Sequence, residues 1–155
     1  MQNQNIHYTR TIPALLIALL LGCFGLSPVA RADDRPSIVG LWLVTSTSNA
    51  GGSLQTHTQW HSDGLEIDIA DLGPGFVCQG TFTELPNGNI SLFHVGWTFD
   101  SNGKPNGYFQ LREKNTVGRE GKRYSGTYVQ KFFDQSGNFL FEDTGTLTAR
   151  RLTVD

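Results

Sequence analysis

The chain has 155 residues, a formal net charge of −2 at pH 7 and 17% charged residues. These values exclude a strongly basic nucleic-acid-binding protein, because binding to phosphates depends on clustered Lys and Arg. The densest basic stretch, GREGKR at 118–123, has the composition of a solvated turn.

The N-terminal segment has the features of an export signal. Residues 1–32 contain neither Asp nor Glu, and a polar stretch ending at Arg10 precedes the apolar run TIPALLIALLLGCFGL. This run is shorter than the roughly 20 residues that span a membrane, and Ala30 and Ala32 form a small-residue cleavage signal. We predict a signal peptide at 1–32 and a single exported domain at 33–155. The mature chain would have no membrane span and would be periplasmic or extracellular.

The two cysteines do not predict a disulfide. Cys23 lies in the apolar run, where LLGC loosely resembles a bacterial lipoprotein box. Lipid anchoring at Cys23 is the weaker alternative, because apolar sequence continues past it to the better cleavage signal. Cleavage would leave Cys78 alone in the mature chain, and we interpret Cys78 as a small buried apolar residue.

The mature chain is predicted to be all-β. Its turn signals include Asn-Gly and Asp-Gly pairs, which supply the positive φ angles of tight hairpins. β-branched and aromatic residues fill the runs between turns, and no run has a sustained helical period. The predicted strands are 37–48, 53–61, 65–71, 76–85, 90–100, 107–116, 123–134 and 138–152. Consecutive strands should pair as hairpins, and closure into an eight-stranded antiparallel up-and-down barrel removes the exposed edges. A two-sheet sandwich is the main alternative.

Alternation along each strand predicts which side chains face the interior. The predicted inner residues are Leu54, Thr56, Thr58, Trp60; Leu65, Ile67, Ile69; Phe76, Cys78, Gly80, Phe82; Phe93, Val95, Trp97, Phe99; Tyr124, Gly126, Tyr128, Gln130, Phe132; and Phe139, Phe141, Asp143, Gly145, Leu147, Ala149. Glu66 and Asp68 would then face outward. The predicted ligand-contacting residues are Trp60, Phe82, Phe93, Trp97, Tyr128, Gln130, Phe132 and Phe141.

The start of the first strand, Gly40-Leu41-Trp42, resembles the G-x-W motif of lipocalins. In that family the Trp closes the barrel floor, and a basic residue of the last strand packs over its ring in a cation–π contact. Arg151 ends the last predicted strand, so the resemblance implies a floor of Gly40, Trp42 and Arg151. The resemblance covers the strand plan and these end motifs, although the chain lacks the helix and usual disulfides of lipocalins. It implies an interior that holds one small hydrophobic or amphipathic ligand.

Two histidines four residues apart, His57 and His61, raise the question of a metal site. On a strand their positions are about 13 Å apart, too far for one zinc ion to bind both imidazoles directly. A shared ion would need His94 or carboxylates from a neighbouring strand. We therefore predict no metal and no cofactor. If a metal ion did bind, His57, His61 and His94 would be its candidate ligands.

Asp143 is the main polar residue on a predicted inner face. A buried carboxylate needs partners or becomes protonated. Asp143 therefore pairs with a Tyr or an Arg, is turned outward by a bulge, or acts as an acid–base group with Tyr124 or Tyr128. The preferred function is a lipocalin-like barrel that binds a small ligand. The alternatives are a cofactor-independent cyclase or isomerase similar to allene oxide cyclase or dirigent-type barrels, and a filled structural barrel. The sequence leaves the oligomeric state open.

Overall fold

A computed structural model describes residues 35–73 and 76–154. The predicted signal peptide at 1–32 and the lipidation alternative at Cys23 lie outside the described residues, and both stay predictions. Within the described part of the chain, no helix has the length and hydropathy needed to cross a membrane.

Eight antiparallel strands form a closed barrel in which each strand pairs with the next and β1 pairs with β8. The strands are β1 (Gly40–Ser48), β2 (Ser53–Trp60), β3 (Leu65–Ala70), β4 (Val77–Glu84), β5 (Asn89–Phe99), β6 (Pro105–Val117), β7 (Arg123–Asp134) and β8 (Phe139–Arg151). The prediction of an all-β up-and-down barrel is therefore confirmed. The sandwich alternative is wrong, because the β1–β8 pairing closes the sheet on itself.

The tight turns form where the sequence indicates them. Gly64 has a φ of 86° in the β2–β3 turn, and Gly88 has a φ of 83° in the β4–β5 turn. In the first of these turns, Oδ1 of Asp63 accepts a hydrogen bond from the backbone N–H of Leu65 at 3.1 Å. Such Asx turns fix the hairpin geometry and hence the register of the strands that follow.

One end of the barrel is closed by a stack on Trp42. The Trp42 side chain is 0% exposed, and its Nε1 donates to the backbone carbonyl of Ile38 at 2.7 Å. The guanidinium carbon of Arg151 lies 4.2 Å from the Trp42 ring centroid, and the same guanidinium donates to three backbone carbonyls. A methyl group at Gly40, which has a φ of 137°, would lie 2.5 Å from Nη1 of Arg151. The absence of a side chain at Gly40 therefore lets Arg151 cover the ring.

The closed half of the interior is filled by an apolar core. Its buried members are Ile38, Trp42, Val44, Trp60, Ile90, Leu92, Tyr124, Leu147 and Ala149. A smaller cluster of Cys78, Phe109, Leu111 and Tyr128 lies apart from this core, with Phe76 and Phe132 packed against it. The interior is therefore solid at the Trp42 end and less completely filled towards the other end.

The inner face predicted for β3 is wrong. Glu66 and Asp68 are 1% and 9% exposed, whereas Ile69 is exposed on the outer wall. The reason is the strand register, which places Glu66 opposite Gly80 and Asp68 opposite Cys78. Directly opposed residues share one face of a sheet, and this face of β4 points inward.

The inner face predicted for β5 is also wrong. Trp97 is 63% exposed, and the ring of Phe93 lies under the guanidinium of Arg112, 4.7 Å from its carbon. The opposite face of β5 carries the buried His94, which pairs in register with Gly80 of β4. Because this pairing turns His94 inward, Phe93 and Trp97 lie on the outside of the barrel and cannot line its interior.

Candidate ligand-binding cavity

A cavity of about 340 Å³ opens between the loops opposite the Trp42 end. All eight strands contribute to its lining. The lining combines apolar side chains, among them Leu54, Leu72, Phe76 and Phe132, with polar ones, among them Ser48, Gln130 and Asp143 towards the mouth and Glu66 and His94 at the base. This volume is at the lower end of the range for small-molecule sites, about 300–1,000 Å³.

The structure separates the predicted ligand-contacting residues into three groups. Tyr128, Gln130 and Phe132 line the cavity. Trp60 and Phe82 lie below it in the closed-end core, where their ring centroids are 4.9 Å apart.

The remaining three predicted residues do not line the cavity. Phe141 is an exposed residue that stacks on Phe132 with a centroid distance of 4.3 Å. Phe93 and Trp97 lie on the outer wall. The apolar part of the lining therefore comes from fewer aromatic residues than the alternation pattern predicts.

The base of the cavity contains an acid–histidine cluster formed by Glu66, Asp68 and His94. One potential ligand atom from each residue lies within 4.8 Å of the others, and Nδ1 of His94 is 3.3 Å from Oε2 of Glu66. Gly80 lies between the two in register. A methyl group at Gly80 would be 2.5 Å from Cβ of His94 and 2.9 Å from Oε2 of Glu66. The glycine therefore permits two side chains from strands on either side of β4 to meet above it.

Hydrogen bonding within the cluster is uneven. Oδ1 of Asp68 accepts a hydrogen bond from Oγ1 of Thr58 at 2.8 Å, and that hydroxyl is 3.0 Å from Oγ1 of Thr56. In contrast, both carboxylate oxygens of Glu66 and Nδ1 of His94 lack an aligned hydrogen-bond partner among the described residues. Their 3.3 Å contact is thus an electrostatic one.

Burial sets the protonation behaviour of the cluster. It raises the pKa of both Glu66 and Asp68 above the usual range, and the nearby His94 partly offsets this effect. Burial alone would lower the pKa of His94, but the contact and charge of Glu66 outweigh it, and the pKa lies above the ordinary value. A nearby carboxyl, Glu113, has its pKa raised to about 7 by burial.

The cavity lining is acidic. It includes four carboxyl side chains, those of Glu66, Asp68, Glu113 and Asp143, and a single imidazole, that of His94. No Lys or Arg is among the described residues that line it. Because like charges repel strongly where water is scarce, this lining disfavours an anionic ligand.

Asp143 lies in the cavity lining and is held by two hydroxyl groups. Tyr128 donates its phenolic hydrogen to Oδ2 of Asp143 at 2.8 Å, and Ser48 donates to Oδ1 at 2.7 Å. Burial, followed by the contact with Asp143, raises the pKa of Tyr128 to about 12. Tyr124, the other candidate acid–base partner of Asp143, lies in the apolar core at the closed end, where its ring centroid is 4.8 Å from that of Trp42. It does not contribute to the cavity lining.

The three candidate metal-binding histidines are not brought together. His57 and His61 are exposed side chains, and only His94 points into the barrel. Its two acidic neighbours, Glu66 and Asp68, were assigned to the outer face by the sequence pattern. The signal that identifies them is the tight β2–β3 turn, which pairs Trp60 with Glu66, so an inward Trp60 implies an inward Glu66.

The sequence matches no protein family and no curated protein. The closed eight-stranded antiparallel barrel is consistent with a lipocalin-like fold. Fold alone does not determine function, so the chemistry of the cavity has to indicate what the barrel does.

Proposed function

We propose that this protein is an exported, lipocalin-like barrel that binds one small amphipathic molecule in its interior. The observation that carries the proposal is the cavity of about 340 Å³, whose lining combines apolar side chains with buried polar ones. Eight-stranded barrels are just wide enough either to fill with side chains or to hold one small ligand. The gap above the closed-end core supports the second of these arrangements over a filled structural barrel.

The lining also indicates the chemistry of the ligand. Leu72, Phe76 and Phe132 offer contacts to an apolar body, while Glu66 and Glu113 at the base favour a neutral or cationic polar end that donates hydrogen bonds. Pockets of this type use a few polar groups to orient a mainly apolar ligand. A fatty acid with its carboxylate at the base is the least favourable occupant, because it would place a further negative charge beside buried carboxyl groups.

Filling the cavity should weaken ligand uptake. Ser46 lines the cavity, and the adjacent Thr47 points outward. Ser46→Trp should weaken binding of the neutral fluorescent probe N-phenyl-1-naphthylamine at least tenfold, because the indole would occupy the space that the probe needs. Fluorescence titration of both variants and the wild type measures this effect.

Thr47→Trp is the matched control, since it adds the same side chain one residue away on the outer face. It should leave probe binding unchanged. No uptake by the wild-type protein would support a filled structural barrel, and equal binding by Ser46→Trp and Thr47→Trp would place the probe outside the cavity.

The cyclase or isomerase alternative has less support. Two of its candidate acid–base residues, Asp143 and Tyr128, are hydrogen-bonded to each other in the cavity lining. The third candidate residue, Tyr124, lies in the apolar core and not in the cavity. A likeness of fold to barrel enzymes is a weak warrant for catalysis, and binding accounts for the same groups as polar contacts in the upper cavity.

A further inference from the structure

We propose that Glu66, Asp68 and His94 bind one divalent transition-metal ion at the base of the cavity. Two carboxylates and one imidazole are ligand types that Zn²⁺ and related ions accept. The three potential ligand atoms already lie within 4.8 Å of one another. In a tetrahedral site with bonds of about 2.1 Å, ligand atoms are about 3.4 Å apart. The Glu66–His94 contact of 3.3 Å meets this spacing, and coordination by all three residues would bring Asp68 closer to the other two.

The unsatisfied state of Glu66 points independently to a missing partner. This side chain is 1% exposed, and both of its carboxylate oxygens lack an aligned hydrogen-bond donor among the described residues. A buried carboxylate in this condition is costly. Nδ1 of His94 is equally without an aligned partner. A cation between the two groups would accept a lone pair from each.

The surroundings hold the three side chains as a metal site requires. Glu66 and Asp68 lie two residues apart on β3, so both point inward, and His94 reaches them across Gly80. The hydroxyl of Thr58 donates to Oδ1 of Asp68 at 2.8 Å and orients this carboxylate. Hydrogen bonds of this kind orient metal ligands in known sites, and strands give them a rigid base.

The geometry leaves open coordination positions that face the cavity. Sites with three protein ligands keep at least one position for water or for a donor atom of another molecule. Because the cluster is part of the cavity lining, an ion there is reachable from the mouth. The ion would neutralise the two carboxylates, which have no Lys or Arg beside them in the described lining.

Metal titration of the purified protein, with no organic ligand present, tests the site. After treatment with a chelator and its removal, isothermal calorimetry with Zn²⁺ should show one equivalent bound with a Kd of about 1 μM or tighter. Glu66→Gln and His94→Gln should each weaken binding about 100-fold or more. The double variant His57→Gln, His61→Gln is the matched control and should bind as the wild type does, because it changes two exposed imidazoles.

A second measurement uses only the wild-type protein, in case a cluster variant fails to fold. On addition of Mn²⁺, the imidazole NMR signals of His94 should broaden before those of His57 and His61. No stoichiometric Zn²⁺ binding by the wild type would overturn the proposal, as would unchanged affinity in folded Glu66→Gln or earlier broadening at His57 or His61. The probe titration is a separate experiment, so its failure would count against the organic ligand and not against the metal site.

Discussion

Replacing Trp42 by Ala is expected to lower the free energy of unfolding by about 3–5 kcal/mol, the range for truncation of a buried aromatic residue. Trp42 is 0% exposed and makes an edge contact with Tyr124 at 4.8 Å between centroids. The change would also remove the ring beneath Arg151 and the hydrogen bond to the carbonyl of Ile38. Urea unfolding followed by far-UV circular dichroism measures the loss.

Trp97→Ala is the matched control for this experiment. It removes the same side chain from the outer wall of β5, where Trp97 is 63% exposed. Exposed substitutions away from such contacts usually change stability by less than about 0.5 kcal/mol. A loss below about 0.5 kcal/mol in Trp42→Ala would show that Trp42 does not anchor the closed end. A loss of about 3–5 kcal/mol in Trp97→Ala would show that the wall of β5 carries unexpected packing.

The strand plan could be predicted from sequence because turn chemistry is local. The predicted run 53–61 corresponds to the observed Ser53–Trp60, and the predicted run 123–134 to Arg123–Asp134. Tight hairpin turns require positive φ angles, which Asn-Gly and Asp-Gly pairs adopt readily and few other residues do. These pairs therefore indicate hairpins. Eight hairpin-linked strands then favour closure, because an open sheet would leave two unpaired edges.

Alternation failed where the interior is polar. The pattern of β3 places Leu65, Ile67 and Ile69 on one face, and a rule that puts apolar residues inside sends Glu66 and Asp68 outward. That rule assumes a dry core, whereas Glu66 and Asp68 line the polar base of the cavity. The β2–β3 pairing of Trp60 with Glu66 gives the correct answer, because register determines the face and hydrophobicity only correlates with it.

The acid–histidine cluster could not be assembled from sequence alone. His94 was among the candidates, but its meeting with Glu66 depends on the pairings of both strands with β4. The β3–β4 connection carries no two-residue turn signal that would fix the first of these pairings. The role of Gly80 as the gap between the two side chains follows only once both registers are known.

Stability of the metal-free protein is expected to fall as the pH rises from about 4.5 to 7. Burial raises the pKa of Glu113 from 4.5 to about 7, so the folded state holds this proton more tightly than the unfolded chain does. The stabilisation is complete below pH 4.5 and is lost as the pH rises through 7. Glu66, Asp68 and His94 face the same space, and their raised pKa values act in the same direction.

Glu113→Gln isolates the contribution of this carboxyl group. At 1.36 kcal/mol for each pKa unit the upper limit is about 3 kcal/mol, and the partial exposure of Glu113 to the cavity reduces it to about 1–2 kcal/mol. The amide can still accept the hydrogen bond that Asn115 donates to Oε2 of Glu113 at 2.7 Å. Urea unfolding in buffers with a chelator should therefore show a shallower loss of stability between pH 4.5 and 7, and higher stability than the wild type at pH 7.

Glu142→Gln provides the comparison, because Glu142 is an exposed carboxylate 3.7 Å from Lys131 on the outer wall. It should retain the wild-type slope. A wild-type stability that rises between pH 4.5 and 7 would mean that the interior carboxyl groups are ionised in the folded protein and satisfied by partners. A wild-type slope in Glu113→Gln would assign the pH dependence to Glu66, Asp68 and His94 instead.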